Sequence, residues 1–186
     1  MTNGELSRER GISVYLGLGS NIGDREVNLR DARELIVKTG IDIVRQSSIY
    51  ETEPVGFTDQ PWFLNQVVEA RLSVQPSAAE AASFLYKLLD IERKMGRERA
   101  TADGPRLIDI DLLLFDDLVV HNLNDTASCN SAEIVLPHPR MHERRFVLEP
   151  LCEIAPDLTH PILHKTCHEI LASLADESIV MLFKKQ

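Results

Sequence analysis

Two carboxylates two residues apart, Asp109 and Asp111, interrupt the apolar run Leu107-Ile108-Asp109-Ile110-Asp111-Leu112-Leu113-Leu114-Phe115, and Gly104-Pro105-Arg106 stands directly before it. If the run is a strand, its side chains alternate between two faces, with Ile108, Ile110, Leu112 and Leu114 on one and Leu107, Asp109, Asp111 and Leu113 on the other. The carboxylates then share a face, with Cα atoms roughly 7 Å apart. Carboxylates so close in partly apolar surroundings repel each other and lose hydration. A shared proton or divalent ions relieve that cost, and oxygen-liganded Mg²⁺ is the usual ion in phosphoryl chemistry. The alternative is a half-exposed edge strand with solvated aspartates, and this segment alone leaves both readings open.

Arginines gather around the pair in sequence. Arg97, Arg99 and Arg106 lie on or beside the loop that leads to Asp109, and Arg140, Arg144 and Arg145 follow His138. Guanidinium groups beside a carboxylate and metal pair suit a polyphosphate, because they stabilise charge on the transferring and leaving groups. Taken singly, each is an ordinary solvated arginine. The glycine-rich Gly17-Leu18-Gly19-Ser20-Asn21-Ile22-Gly23 lacks the Lys-Ser/Thr ending of a Walker loop and the spacing of a dinucleotide fingerprint, so it reads as close backbone packing. His138 sits between two prolines; Pro139 breaks any helix toward His142, which favours a hydrogen bond to phosphate over a transition-metal pair. His160 and His164 flank Pro161 and read as structural or exposed. Phe63 and Asn65 share one face of a strand beside a long loop, where they could stack on and read a planar heterocycle, or Phe63 could pack in the core. No Ser/His/Asp or Cys/His arrangement stands out, so direct transfer is expected over covalent catalysis.

The elements that must position these groups follow from periodicity and punctuation. Strands are expected over residues 13–19, 41–50, 63–74 and around Asp109, the last continuing through an Asp116-Asp117 hairpin to Leu118-Val119-Val120. Leu29, Ala32, Leu35 and Ile36 mark a helix closed by Gly40, and Ser77 with Glu80 opens a second, closed by Gly96. Residues 51–62, with Pro54, Gly56, Asp59 and Pro61, form a functional loop, and 97–105 form a polar one. A short helical turn near residues 141–145, a last helix capped at Thr166, and a strand over 179–183 complete the chain. Strands and helices mix without strict βαβ order, which implies α+β with a largely antiparallel sheet.

Composition sets the bounds. At 186 residues, 44% hydrophobic and 26% charged, the chain fits a soluble protein with residues 11–186 as a single domain and residues 1–10 as a disordered extension. A net charge of -9 argues against binding a nucleic-acid backbone. The absence of a long apolar run or signal-type start gives a cytoplasmic expectation with no membrane partner. Cys129, Cys152 and Cys167 are widely spaced and read as ordinary thiols.

Together, Tyr15-Leu16-Gly17-Leu18-Gly19-Ser20-Asn21, Ser47-Ser48-Ile49-Tyr50-Glu51-Thr52-Glu53-Pro54-Val55-Gly56, Asp59-Gln60-Pro61-Trp62-Phe63-Leu64-Asn65, the Gly104 to Asp111 block and Leu136-Pro137-His138-Pro139-Arg140-Met141 resemble the 6-hydroxymethyl-7,8-dihydropterin pyrophosphokinase family in order and spacing, over roughly residues 12–160. The resemblance implies a ferredoxin-like α+β sandwich that moves the pyrophosphoryl unit of ATP onto the pterin hydroxymethyl group, giving the pterin diphosphate and AMP in folate biosynthesis. It implies two Mg²⁺ ions on Asp109 and Asp111, with Arg97 and Arg106 on the transferring group. Arg99, His138 and Arg144 fall at nucleotide-phosphate positions, and Glu92 and Leu112 in the nucleotide set. Thr52, Val55 and Gly56 would meet the pterin through the loop, Asn65 through its amide, and Phe63 with Phe146 would sandwich the ring. The implied partners are the pterin and ATP alone, on a monomer. The chain departs from the pattern at Asp103, where many members carry an aromatic residue, at Glu133, near a position that is basic in some relatives, and in a longer stretch over residues 121–131. The altered loop keeps a second reading open, a pterin or nucleotide binder with weak or lost catalysis.

Overall fold

A computed structural model of the protein describes residues 11–96, 104–123 and 134–184. Arg97, Arg99, Asp103, Cys129, Glu133, the extension 1–10 and most of the 121–131 stretch lie outside the described residues.

The chain runs β1 (Ile12–Ser20), α1 (Arg25–Lys38), β2 (Asp42–Gln46), β3 (Tyr50–Thr52), β4 (Phe63–Leu72), α2 (Ala78–Lys94), β5 (Asp109–Phe115), β6 (Val120–Leu123), β7 (Ile134–Leu136), a 3-10 turn (Met141–Glu143), α3 (Arg145–Ile154), α4 (Cys167–Ala172) and β8 (Val180–Leu182). Asp24 starts α1 by accepting the Val27 N–H, and Ser77 starts α2 by accepting that of Glu80. Thr166 and Glu169 form a complete reciprocal capping box on α4. The main sheet is antiparallel, in the order β5-β1-β4-β3-β8, with β2 paired to the far half of the long β4. With α1 and α2 as crossovers, this is the β-α-β-β-α-β, ferredoxin-like arrangement of an α+β fold.

Three local expectations change. The single strand over 41–50 is two strands, because the Ser47 carbonyl leaves the ladder: Ser47 N–H still donates to Val67 O at 2.9 Å, but its Oγ accepts the Val67 N–H at 3.0 Å, and Glu153 of α3 takes the Ser48 N–H at 3.0 Å. The turn at Asp116-Asp117 forms, with Leu118 N–H to Phe115 O at 3.1 Å, but no hairpin returns along β5; β6 pairs with β7 in a separate two-stranded sheet. β5 has little edge to offer a returning strand. Its inner side pairs with β1, Glu92 takes the Ile110 N–H on the outer side at 2.7 Å, and His138 donates its N–H to Leu113 O at 2.9 Å. Finally, a bulge opposite Tyr15 and Leu16 adds one residue to β5, so alternation slips there. Ile110 and Leu112 join one core, Leu113 and Leu114 both join the other, and Phe115 returns to the first.

The two cores lie on opposite faces of one sheet. Leu29, Ala32 and Ile36 of α1 and Ala81, Phe84, Leu88 and Ile91 of α2 cover one face, packing on Val14, Leu16, Leu18, Leu64, Ile110 and Phe115. Each such Leu, Ile, Val or Phe side chain contributes about 1.5–3 kcal/mol by leaving water. On the other face Val147, Leu151 and Ile154 of α3 and Cys167 of α4 cover Tyr15, Val67, Leu113 and Leu114. Buried Glu69 anchors this layer: Ser13 Oγ donates to it at 3.0 Å, and Arg45 bridges it at 2.5 Å to Ile154 O at 2.6 Å. The strand ends carrying Asp109, Asp111, Gly19 and Asn65 lie beyond that α3 and α4 layer, on the same face. Among the described residues no helix is long and apolar enough to cross a membrane.

Candidate active site

Register builds the floor of a cleft. Gly17 of β1 stands opposite Asp111 of β5 and Val67 of β4, and Gly19 stands opposite Asp109 and Asn65. The carboxylates on one side and the Asn65 amide on the other therefore meet across a strip of bare main chain. A Cβ on Gly19 would fall 2.8 Å from Asn65 Oδ1, so only glycine leaves that amide in place. On Gly17 the nearest atom would be Leu113 Cδ1 at 3.6 Å, an ordinary contact. The close approach that the glycine spacing implied is thus met at Gly19 and not at Gly17.

The cleft above the strip has a volume of about 300 Å³, the lower end of the range that holds a small ligand. Thr52, Val55, Gly56, Phe63, Asn65, Arg106, Asp109, Asp111, Arg144 and Phe146, all singled out in the sequence, line it. Asn65 Nδ2 donates to Thr52 Oγ1 at 2.7 Å, which fixes the amide orientation. Phe63 is half-buried and lines the cleft outside both cores, and Phe146, which also packs on the core under α3, lines it too. Gly56 adopts φ +87°, a left-handed bend that turns the loop back over the cleft wall.

Both carboxylates lie among guanidinium groups. Arg106 ion-pairs with Asp109, and Arg144 Nη1 lies 3.9 Å from Asp111 Oδ2. The Arg144 guanidinium also sits 5.4 Å from the centre of the Phe146 ring, within cation–π range. Among the described residues no three His, Cys, Asp or Glu side chains cluster as a metal cage.

Three expected residues stand away from the lining. His138 lies beside the cleft, half-buried; burial, with Arg144 and Arg140 adding to it, pushes its pKa down to about 4. Its Nδ1 accepts the Arg140 N–H at 3.2 Å, so the neutral ring carries its proton on Nε2 and can donate from there. Glu92 is only 2% exposed and binds the β5 main chain at Ile110 from the helix side. Leu112 packs its side chain in the core, and its main chain lies on the same outer edge of β5 as that of Ile110 by alternation. His142 makes no pair with His138 and turns its ring to His160, centroids 5.6 Å apart.

The structure adds residues that sequence reasoning did not assign. Asn21, 2% exposed, uses its whole amide: Nδ2 donates to Gln60 Oε1 at 3.0 Å and Pro61 O at 3.1 Å, and Oδ1 accepts the Arg106 N–H at 2.8 Å. One side chain thus joins the end of β1, the 51–62 loop and the segment leading to Asp109. Arg25 holds both ends of that loop, with Nη1 2.8 Å from Trp62 O and 2.9 Å from Glu51 Oε1. The only local signal was an Asn and an Arg around a glycine turn, which reads as ordinary turn chemistry. Glu53, Gln60, Gln66, Arg140, Glu143 and Val147 also line the cleft.

The family model described as 7,8-dihydro-6-hydroxymethylpterin-pyrophosphokinase (HPPK) matches residues 15–156. The 2-amino-4-hydroxy-6-hydroxymethyldihydropteridine pyrophosphokinase of Methylorubrum extorquens is 43% identical over 167 residues, covering 89% of this chain and 96% of that protein. The Bacillus subtilis protein of the same name is 42% identical over 142 residues, 76% of this chain and 77% of its own length. The folic acid synthesis protein fol1 of Pneumocystis carinii is 35% identical over 90% of this chain, which spans only 21% of that longer protein. Among solved structures, wild-type Plasmodium falciparum HPPK-DHPS superposes with a TM-score of 0.68 at 16% identity, over 89% of this chain and 45% of that one, a likeness of fold.

Proposed function

The chain belongs to the 7,8-dihydro-6-hydroxymethylpterin-pyrophosphokinase family, and from that premise we propose that it transfers the pyrophosphoryl group of ATP to the hydroxymethyl oxygen of 6-hydroxymethyl-7,8-dihydropterin, releasing AMP in folate biosynthesis. One observation carries the reading: a single cleft brings together an aromatic pair, a fixed amide, two carboxylates and two arginines. A flat heterocycle would lie between Phe63 and Phe146, both of which line the cleft. Asn65 Oδ1, set by the Nδ2 bond to Thr52, accepts a ring N–H, and the 53–56 segment closes the ring's edge with main-chain groups of Val55 and Gly56.

The donor set fits a hard cation, since Asp109 and Asp111 offer only oxygens, are partly exposed and share one strand face. These two residues would hold two Mg²⁺ ions, which would supply charge neutralisation to a polyphosphate. Arg106 and Arg97 would stabilise charge on the transferring group, and Arg144, Arg99 and the His138 Nε2 proton would hold the nucleotide phosphates. Arg106 and Arg144 already lean on the carboxylates and need little motion to reach a phosphate there. The adenosine would run past the outer edge of β5, where the Leu112 main chain is presented and Glu92 fixes the strand through Ile110. The chain's work is then positioning two substrates for in-line attack, with no covalent intermediate.

Residues 11–186 would act as one catalytic domain and as a cytoplasmic monomer. Sizing chromatography checks the monomer. Purified protein given ATP, Mg²⁺ and the hydroxymethyl pterin should release AMP stoichiometrically with pterin diphosphate. Release of ADP overturns the reading, and tight binding without AMP selects the alternative of a binder that lacks turnover.

A further inference from the structure

The two walls of the cleft come from distant parts of the sequence, Thr52 and the loop after β3 on one side and Arg144 with Phe146 on the other. α3 begins without a cap of its own, since Arg144 occupies the N-cap position and makes no side-chain cap bond. The first N–H groups of a helix need an acceptor, and a carboxylate there also meets the positive end of the helix dipole. The acceptor comes from the far end of the chain. Asp176 Oδ2 accepts the Arg145 N–H at 2.8 Å, while its Oδ1 accepts the Ser178 N–H at 2.9 Å and holds the following residues in a tight turn.

Those following residues reach the opposite wall. Ile179 donates its N–H to Glu53 Oε1 at 2.7 Å and its carbonyl accepts the Glu53 N–H at 3.2 Å. β8 then pairs with β3, Val180 opposite Thr52 and Leu182 opposite Tyr50, and Phe183 donates its N–H to Ile49 O at 2.9 Å and packs its ring on the α1 and α2 core. The eight-residue segment 176–183 thus bonds at one end to the start of the helix that carries Phe146, next to Arg144, and along the rest to the strand that carries Thr52. All of them lie beyond residue 156, where the match to the family model ends.

We propose that residues 176–183 are a strap that sets the gap between the two cleft walls, and that Asp176 is a positioning residue for Arg144 and Phe146. The proposal rests on the pyrophosphokinase reading of the cleft. A residue that only stabilised the fold would, when replaced, lower the melting temperature and leave the binding constants of the surviving folded protein alone. A residue that aims Arg144 and Phe146 changes affinity for both ligands while the protein stays folded.

The test compares wild type, Asp176→Ala and Asp176→Asn on the full chain, below the melting temperature of each. Asp176→Ala should raise KM for both ATP and the pterin about fivefold or more and speed amide exchange at Arg145. Asp176→Asn, which keeps one acceptor and is itself a good helix cap, should recover most of both. Unchanged KM values in Asp176→Ala, or unchanged exchange at Arg145, overturn the strap. Wild-type protein that makes no AMP overturns the function instead. In that event the exchange comparison still decides the cap, with retained Arg145 protection in Asp176→Ala counting against it.

Discussion

Arg144 Nη1 stands 3.9 Å from Asp111 Oδ2 across the cleft, so an arginine and a carboxylate proposed to share one polyphosphate face each other in its absence. Replacing Asp111 by Ala removes a carboxylate from a crowded pair and no core packing, so the fold should keep its melting temperature or gain slightly. Turnover should fall by on the order of 10²–10³-fold or more, as expected for losing a preorganised charge. AMP release and thermal melts measure both, and the stabilisation that ATP with Mg²⁺ gives the wild type should vanish. Near-normal turnover in this variant would remove Asp111 from the metal site.

Gly19→Ala places a methyl group 2.8 Å from Asn65 Oδ1 and must displace the amide or its bond to Thr52. Losing one buried hydrogen bond costs about 1–3 kcal/mol. Pterin affinity should therefore drop roughly 5- to 150-fold. Gly17→Ala, whose Cβ meets only Leu113 at 3.6 Å, should spare pterin affinity and serves as the control. Direct titration of the pterin against both variants gives the answer, and equal affinities would be inconsistent with the Asn65 role.

Arg25→Ala releases the neck of the 51–62 loop, since one guanidinium holds Trp62 O and Glu51 together. Trp62 is the single tryptophan of the chain, so its fluorescence reports on that loop without interference. Acrylamide should quench it more readily in the variant, and the pterin KM should rise more than the ATP KM. The partly exposed ion pair contributes about 1 kcal/mol or less, so the melting temperature should fall only a few degrees. Identical quenching curves would show that Asn21, through Gln60 and Pro61, holds the loop unaided.

His138 carries a pH signature. Burial, then Arg144 and Arg140, depress its pKa from 6.5 to about 4 in the folded chain. Between those values the unfolded chain binds a proton that the folded chain refuses, so its contribution to stability is complete above pH 6.5 and is lost as pH falls toward 4. Proton titration of the ring by NMR should show it largely neutral at about pH 5.5, and His138→Gln should flatten this part of the stability curve. A ring that titrates near 6.5 would contradict the arginine-flanked setting.

What the sequence could reveal was local. The parity of Asp109 and Asp111, the caps Ser77 and Thr166, and the glycine stops at Gly40 and Gly96 each depend on neighbours within a few residues, and each holds. What it could not reveal depends on distant partners. Ser47 breaks the second strand because of Val67 and Glu153; Leu114 changes face at the bulge against β1; Asn21, Arg25 and Asp176 act on partners 26–85 residues away. Glu92 shows the same limit within one residue. Its family position pointed to the nucleotide, and the structure shows a buried carboxylate that secures the strand a nucleotide would lie beside.

The bare strip at Gly17 and Gly19 bears on inhibitor resistance. A compound resting there draws its affinity from peptide groups, which substitution does not remove. Escape at those positions requires added bulk, and at Gly19 that bulk disturbs Asn65, on which the natural pterin is proposed to depend. Compounds anchored on this strip and on Asn65 should therefore meet a higher barrier to escape than those anchored on exposed Val55 or Phe57, where side chains can change at little expense to the fold.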